Sequence, residues 1–192
     1  MTRRFLMVHG VAHRRPREHW LWWLTEELRR RGEQALYPQF PAPERPSVDE
    51  WVELLHAELA QLGDRERVVV CHSLGCALWL RAARDLPAEL RVDRVLLVSP
   101  LGAQAFTAEN GNEEFRIGGV DREALAAGRV RVVVSATDPY APVDPRGWSA
   151  GVDCDVLPDA GHITPAEGYG PWPGVLDWCL DERTPVAGHA ER

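Results

Sequence analysis

Ser73, Asp138 and His162 are the residues of this 192-residue chain whose types and placement suit nucleophilic chemistry. Ser73 lies in the stretch Val68 to Leu80, VVVCHSLGCALWL. Three valines, a small-residue turn carrying His72, Ser73 and Gly75, and an apolar run at helical spacing predict a strand, a sharp turn and a helix. A serine at the apex of such a turn points its hydroxyl out of the backbone at a helix N-terminus, where unpaired N–H groups and the helix dipole stabilise developing negative charge. The pattern is G-x-S-x-G with one departure, Cys71 standing at the first glycine. A plainer alternative is a strand-turn-helix unit whose serine caps the helix.

A serine is unreactive at its own pKa and needs a base. The strand Val130 to Ser135 runs into Ala136-Thr137-Asp138-Pro139-Tyr140, and the strand Val152 to Leu157 runs into Asp159-Ala160-Gly161-His162. A carboxylate and an imidazole therefore each follow a strand end. His162 can take the serine proton and return it to a leaving group, while Asp138 fixes the imidazole tautomer and stabilises the imidazolium. Taken singly, Asp138 reads as a turn residue before Pro139 and His162 as a loop histidine; taken together, in that order, they read as a triad. Among the competing acids, Asp144 is further from its strand, Asp153 and Asp155 fall within one, and Asp159 is so near His162 that it shapes the turn. The N–H of Leu74, with that of Val11 or Ala12 after the first strand, is the expected oxyanion hole.

The elements that must hold these residues alternate strand and helix. Phe5 to Val8 is the first strand, followed by His9-Gly10 and a polar loop. A helix from Arg17 to near Gly32 turns Trp20, Leu21, Trp23, Leu24 and Leu28 inward. A short second strand within Ala35 to Phe40 ends at Pro38. Ser47-Val48-Asp49-Glu50 opens a helix running to about Leu62 with Trp51, Leu54, Leu55, Leu59 and Leu62 inward. After the elbow helix come a strand at Val92 to Val98, a long loop at Leu101 to Gly119 over the site, a short helix at Asp121 to Ala127, the two strands named above and a closing helix at Trp172 to Leu180. The sixth strand is less apolar and suits a sheet edge. This alternation without hairpin signals predicts a mostly parallel sheet covered on both faces, a three-layer α/β/α sandwich, with ligands at the carboxyl ends of the strands. Residues 1–183 form one domain, and the tail from Thr184 is expected to fray.

Trp20 and Trp172 adjoin the site loops and, with His72, are candidates for a substrate pocket; core packing is the competing role for Trp20, and the expected one for Trp23, Trp51, Trp79 and Trp178. His9 and His13 are four apart, but Gly10 breaks the helix that would put them on one face, so no metal site is expected. His9 reads as part of the turn and His13 as a solvated loop residue.

A net charge of −7 speaks against nucleic-acid or anionic-membrane partners. All 22 basic side chains are arginine, which removes Schiff-base chemistry and a P-loop lysine. The four cysteines, Cys71, Cys76, Cys154 and Cys179, lack C-x-x-C spacing and read as reduced, mostly buried thiols. No cofactor is called for. The apolar N-terminal stretch is too short for a signal peptide or membrane span, so a cytoplasmic protein is expected, monomeric or weakly homo-oligomeric.

The MVHG turn, His19-Trp20 opening the first helix, CHSLG, SATDPYAPVD and DAGHITPAEGYGPWP together resemble the small serine hydrolases named after retinoblastoma-binding protein nine and their bacterial relatives. The resemblance runs over most of the chain in order. It implies a minimal, lidless α/β-hydrolase with about six parallel strands in the order 2-1-3-4-5-6, a triad at Ser73, Asp138 and His162, and hydrolysis of small esters or amides. Cys71 departs from the glycine or serine commoner in its slot. The expected activity is that of a serine carboxylesterase; thioesterase, amidase or acyltransferase chemistry on the same triad, or a protein-binding module on an inactive hydrolase scaffold, are the alternatives.

Overall fold

The computed structural model describes residues 3–188. Six strands, β1 (Arg4–Val8), β2 (Gln34–Leu36), β3 (Arg67–His72), β4 (Val92–Val98), β5 (Ala127–Ser135) and β6 (Asp153–Leu157), form one sheet in the order β2-β1-β3-β4-β5-β6. Every pairing is parallel, with Val8 beside Cys71, Cys71 beside Leu97 and Val98 beside Val133. Parallel strands buried on both faces need apolar residues at successive positions, and the strands supply them alternately to two cores. Leu6, Val8, Val69, Cys71, Val95 and Leu97 face α2 (Val48–Gln61) and α3 (Leu74–Ala82). Phe5, Met7, Val68, Val70, Leu96 and Val98 face α1 (Trp20–Arg30) and α5 (Pro173–Leu180). The result is the expected α/β-hydrolase sandwich, with the less apolar β6 at one edge.

Several boundaries differ from those read in the sequence, each for a local reason. α1 begins at Trp20 rather than Arg17 because the His19 ring caps it, Nδ1 accepting from the Leu21 N–H at 3.2 Å. Trp23 is only half-buried; the inward slot goes to Thr25, whose hydroxyl donates to the Leu21 carbonyl at 2.7 Å. Leu54 is likewise only partly buried. β2 is confined to Gln34–Leu36, paired with Arg4 to Leu6. The short helix at 121–127 is a single turn at Arg122–Ala124, because Ala127 already pairs with Val92 in a longer β5. α4 (Pro145–Trp148) is one turn capped by Asp144, which accepts from the Gly147 N–H.

The tail is a correction. Packing continues past Thr184: Val186 is buried and its N–H donates to Asp155 Oδ2 at 2.8 Å, while the Ala187 carbonyl accepts from Trp172 Nε1 at 2.7 Å. The segment is held because it satisfies polar groups that would otherwise be buried alone; residues 189–192 lie outside those described. Among the described residues no helix is long and apolar enough to cross a membrane.

Candidate active site

β3 delivers Ser73 into a turn with φ 56° and ψ −122°, a conformation a non-glycine residue holds only when its surroundings over-determine it. Two close approaches do so. A Cβ on Gly75 would lie 2.6 Å from the Val8 carbonyl, and one on Gly10 would lie 2.8 Å from Ser73 Cβ, so both positions must lack a side chain. Cys71, in the slot usually given to glycine, points into the α2/α3 core and is fully buried there. The Ser73 hydroxyl makes no capping bond to α3. That removes the plainer capping role and leaves the hydroxyl to its other neighbour.

That neighbour is His162. Its Nε2 lies 2.9 Å from Ser73 Oγ and its Nδ1 lies 2.8 Å from Asp138 Oδ2. A carboxylate only accepts, so Nδ1 carries the proton, Nε2 is the bare acceptor, and the serine hydroxyl donates to it. The Asp138 carboxylate is fully buried, its other oxygen accepting from the Tyr140 N–H at 2.9 Å, and the Tyr140 ring packs edge-on against the imidazole. The competing acids are engaged elsewhere: Asp153 and Asp155 with Arg131, Asp144 at the cap of α4, Asp159 with the Thr137 hydroxyl. Ser73, Asp138 and His162, the outermost two 89 residues apart along the chain, are thus one hydrogen-bonded row.

The loop carrying His162 is fastened to two other elements. His72 Nε2 donates to the His162 carbonyl at 3.0 Å, and Trp20 Nε1 donates to the Ile163 carbonyl at 2.9 Å. Trp20 and Trp172 are fully buried and neither reaches the cleft. Their predicted place in a substrate pocket is therefore corrected: each indole N–H is spent on a backbone carbonyl inside the fold, and the two rings pack edge to face at 5.2 Å. His72 does line the cleft.

Ser73 and His162 open on a cleft of about 490 Å³. One wall is Gly10 to His13 with His19 and His72; the other is Leu101, Ala105, Asn110 and Asn112 from the long loop, which Phe106 and Phe115 anchor in the core. The N–H of Ala12, expected as an oxyanion donor, is unavailable because it bonds the Pro43 carbonyl at 2.7 Å. Among the described residues no such bond takes the N–H of Val11 or Leu74.

Four further histidines continue from His162 through ring contacts: His72 at 5.2 Å, His19 at 5.1 Å from that, His13 at 4.6 Å, and His9 at 5.1 Å. Burial holds them neutral, lowering His9 to about 4, His19 to about 3, His13 to about 2 and His72 well below the ordinary value. His9 belongs to the turn as expected, its Nε2 accepting from the Phe40 N–H at 2.9 Å. His13 does not sit in solvent: its Nε2 meets the Tyr37 hydroxyl at 2.6 Å. Among the described residues no group of three or more His, Cys, Asp or Glu side chains is arranged to hold a metal ion. The cleft presents the neutral rings of His13, His19 and His72 together with one carboxylate, Glu44, which is paired with Arg14 at 2.8 Å.

A family model described as serine hydrolase matches residues 5–180. YdeN of Bacillus subtilis (strain 168), named as a hydrolase, is 26% identical over 182 residues, covering 92% of this chain and 94% of its own. The crystal structure of the B. subtilis ydeN gene product superposes with a TM-score of 0.79 at 24% identity, over 94% of this chain and 97% of that one. A YdeN-like hydrolase from Pectobacterium atrosepticum gives 0.69 at 19% identity, covering 92% and 88%. Polyneuridine aldehyde esterase gives 0.63 at 14%, covering 95% and 99%.

Proposed function

The chain belongs to the serine hydrolase family, and on that premise we propose that it is a carboxylesterase cleaving small, uncharged esters through an acyl-enzyme on Ser73. The observation that carries this reading is the row Ser73 Oγ, His162 Nε2, His162 Nδ1, Asp138 Oδ2, with spacings of 2.9 and 2.8 Å. His162 takes the hydroxyl proton as Ser73 Oγ attacks the ester carbonyl carbon, and the imidazolium so formed is held by the buried Asp138 carboxylate. The N–H groups of Leu74 and Val11 receive the developing oxyanion, each such donor contributing roughly 10²–10³ in rate. His162 then hands its proton to the departing alcohol. Water, deprotonated by the same imidazole, attacks the acyl-serine and releases the acid.

A lining of neutral histidines and apolar Val11, Leu101 and Ala105, whose one carboxylate, Glu44, is already paired with Arg14, supports an uncharged substrate, and an esterase among the structural neighbours supports an ester as the bond broken. The four free thiols, three of them buried, fit a reducing compartment, and we propose a cytoplasmic location on that ground. A fluorophosphonate probe should label the protein at Ser73, and Ser73→Ala should abolish labelling and lower turnover of a short-chain p-nitrophenyl ester by about 10⁴-fold or more. Labelling or turnover untouched by Ser73→Ala would overturn the proposal. A matched set of ester, thioester and amide substrates separates carboxylesterase from its sister chemistries.

A further inference from the structure

The loops bearing Asp138 and His162 leave adjacent strands, and two hydroxyls join them. Ser135 Oγ, buried at the end of β5, accepts from the Ala160 N–H at 2.9 Å and from the Thr137 N–H at 3.2 Å, and lies 3.1 Å from Thr137 Oγ1. Thr137 Oγ1 in turn lies 3.1 Å from Asp159 Oδ1 and accepts from the Gly161 N–H at 3.1 Å. The directions are forced. The Asp159 carboxylate only accepts, so the Thr137 hydroxyl donates to it; Thr137 Oγ1 must then accept from Ser135, whose own lone pairs take the two amides. Each hydroxyl uses one donor and two acceptors, with no capacity left over.

We propose that Ser135 and Thr137 are positioning residues: together they clamp the loop of the triad acid to the loop of the triad base and so set the Asp138 to His162 contact. The inference rests on the catalytic roles given above to Ser73, Asp138 and His162. Thr137 is the immediate neighbour of Asp138, while Ala160 and Gly161 are the two residues before His162. Three backbone amides flanking the pair are thus held by two side chains that touch neither substrate nor reacting atoms. His72 and Trp20 fasten the far side of the same loop, to β3 and α1, but neither reaches the acid. A saturated network of this kind fixes one geometry, because any slip strands a polar group.

The test is steady-state turnover of a short-chain p-nitrophenyl ester. Ser135→Ala removes a small buried hydroxyl without adding volume, and should lower kcat by roughly 10–100-fold with KM within about twofold, since a displacement of about 1 Å at a triad costs on the order of 10²-fold. Thr137→Val, at an exposed position where water can substitute, should lower kcat less, and Thr137→Ser, which keeps the hydroxyl, should restore it. In an Asp138→Asn background Ser135→Ala should cost little more, because the contact it positions is already broken. Wild-type kcat in Ser135→Ala, a Thr137→Val defect shared by Thr137→Ser, or an undiminished Ser135→Ala loss in the Asp138→Asn background would each overturn the proposal. If Ser135→Ala fails to fold, the Thr137 pair decides. Failure of the triad itself reads differently: Ser73→Ala would then leave turnover intact.

Discussion

Replacing Gly10 with alanine tests the elbow at its tightest point. The new Cβ would stand 2.8 Å from Ser73 Cβ, 3.1 Å from Ser73 Oγ and 3.3 Å from the His72 carbonyl. Carbon atoms rest about 3.5–4.0 Å apart, so roughly 1 Å must be opened between the strand end of β1 and the serine. Overpacking of this kind costs about 1–3 kcal/mol, and for a chain of this size each kcal/mol lowers Tm by about 2–4 °C. The fold should therefore survive. The serine should not stay aligned, because its own side chain is the nearest obstacle and a displacement of about 1 Å costs on the order of 10²-fold in rate. Gly10→Ala is expected to reduce kcat/KM on a short-chain ester by about 10²-fold and to slow fluorophosphonate labelling in step, with Tm lowered by several degrees. Gly75→Ala is the contrast, since its Cβ meets the Val8 carbonyl at 2.6 Å, backbone that cannot turn aside, and the protein should fold poorly. A Gly10→Ala enzyme that keeps wild-type turnover and labelling would refute the idea that Ser73, held in this conformation, is the nucleophile.

Two other perturbations have definite signs. Burial lowers His9 to about 4 and His19 to about 3, so as pH falls below about 6.5 the unfolded chain binds protons that the folded chain refuses, and stability declines by about 1.4 kcal/mol per pH unit for each histidine until the folded value is reached. Urea midpoints should accordingly drop between pH 7.5 and pH 5, less steeply in His9→Gln, and a midpoint constant over that range would contradict the burial. Trp20→Phe keeps the packing but removes the donor to the Ile163 carbonyl, an unpaired buried acceptor costing about 1–3 kcal/mol. It should lower Tm and leave KM unchanged; a KM altered more than about threefold, or a shifted preference for acyl length, would return Trp20 to the pocket wall.

What the sequence made legible follows from how local each signal is. The valine runs fix strands buried on both faces, the elbow is spelled out in five consecutive residues, and Asp138 and His162 each follow a strand that could be recognised by itself. A parallel sheet then brings those three loops to one edge without further instruction, which is why the row of Ser73, His162 and Asp138 could be read before any coordinate was known. The places of Trp20 and Trp172 are not legible, for the opposite reason. Trp20 finds its acceptor 143 residues away and Trp172 finds one in the tail, and no spacing along the chain announces either bond. His13 was assigned to solvent because nothing local couples it to Tyr37, 24 residues on.

The same distinction separates catalysis from selectivity. Proton transfer needs a few groups at hydrogen-bonding distance, and strand ends deliver them almost irrespective of what the intervening helices contain. The cleft wall is instead assembled from Val11 and His13 after β1, His19 at the cap of α1 and Leu101 to Asn112 in a loop without periodicity. None of these has a residue type that demands a place beside the serine. His19 is there because the helix it caps packs on one side of the sheet, and Asn112 because its side chain is spent holding the loop, accepting from the Thr107 N–H and donating to the Ala105 carbonyl. On the proposed function, substrate choice would be set by side chains that also hold the fold, so substitutions at Leu101, Ala105 or His19 must be judged against the packing they disturb as well as the ligand they admit.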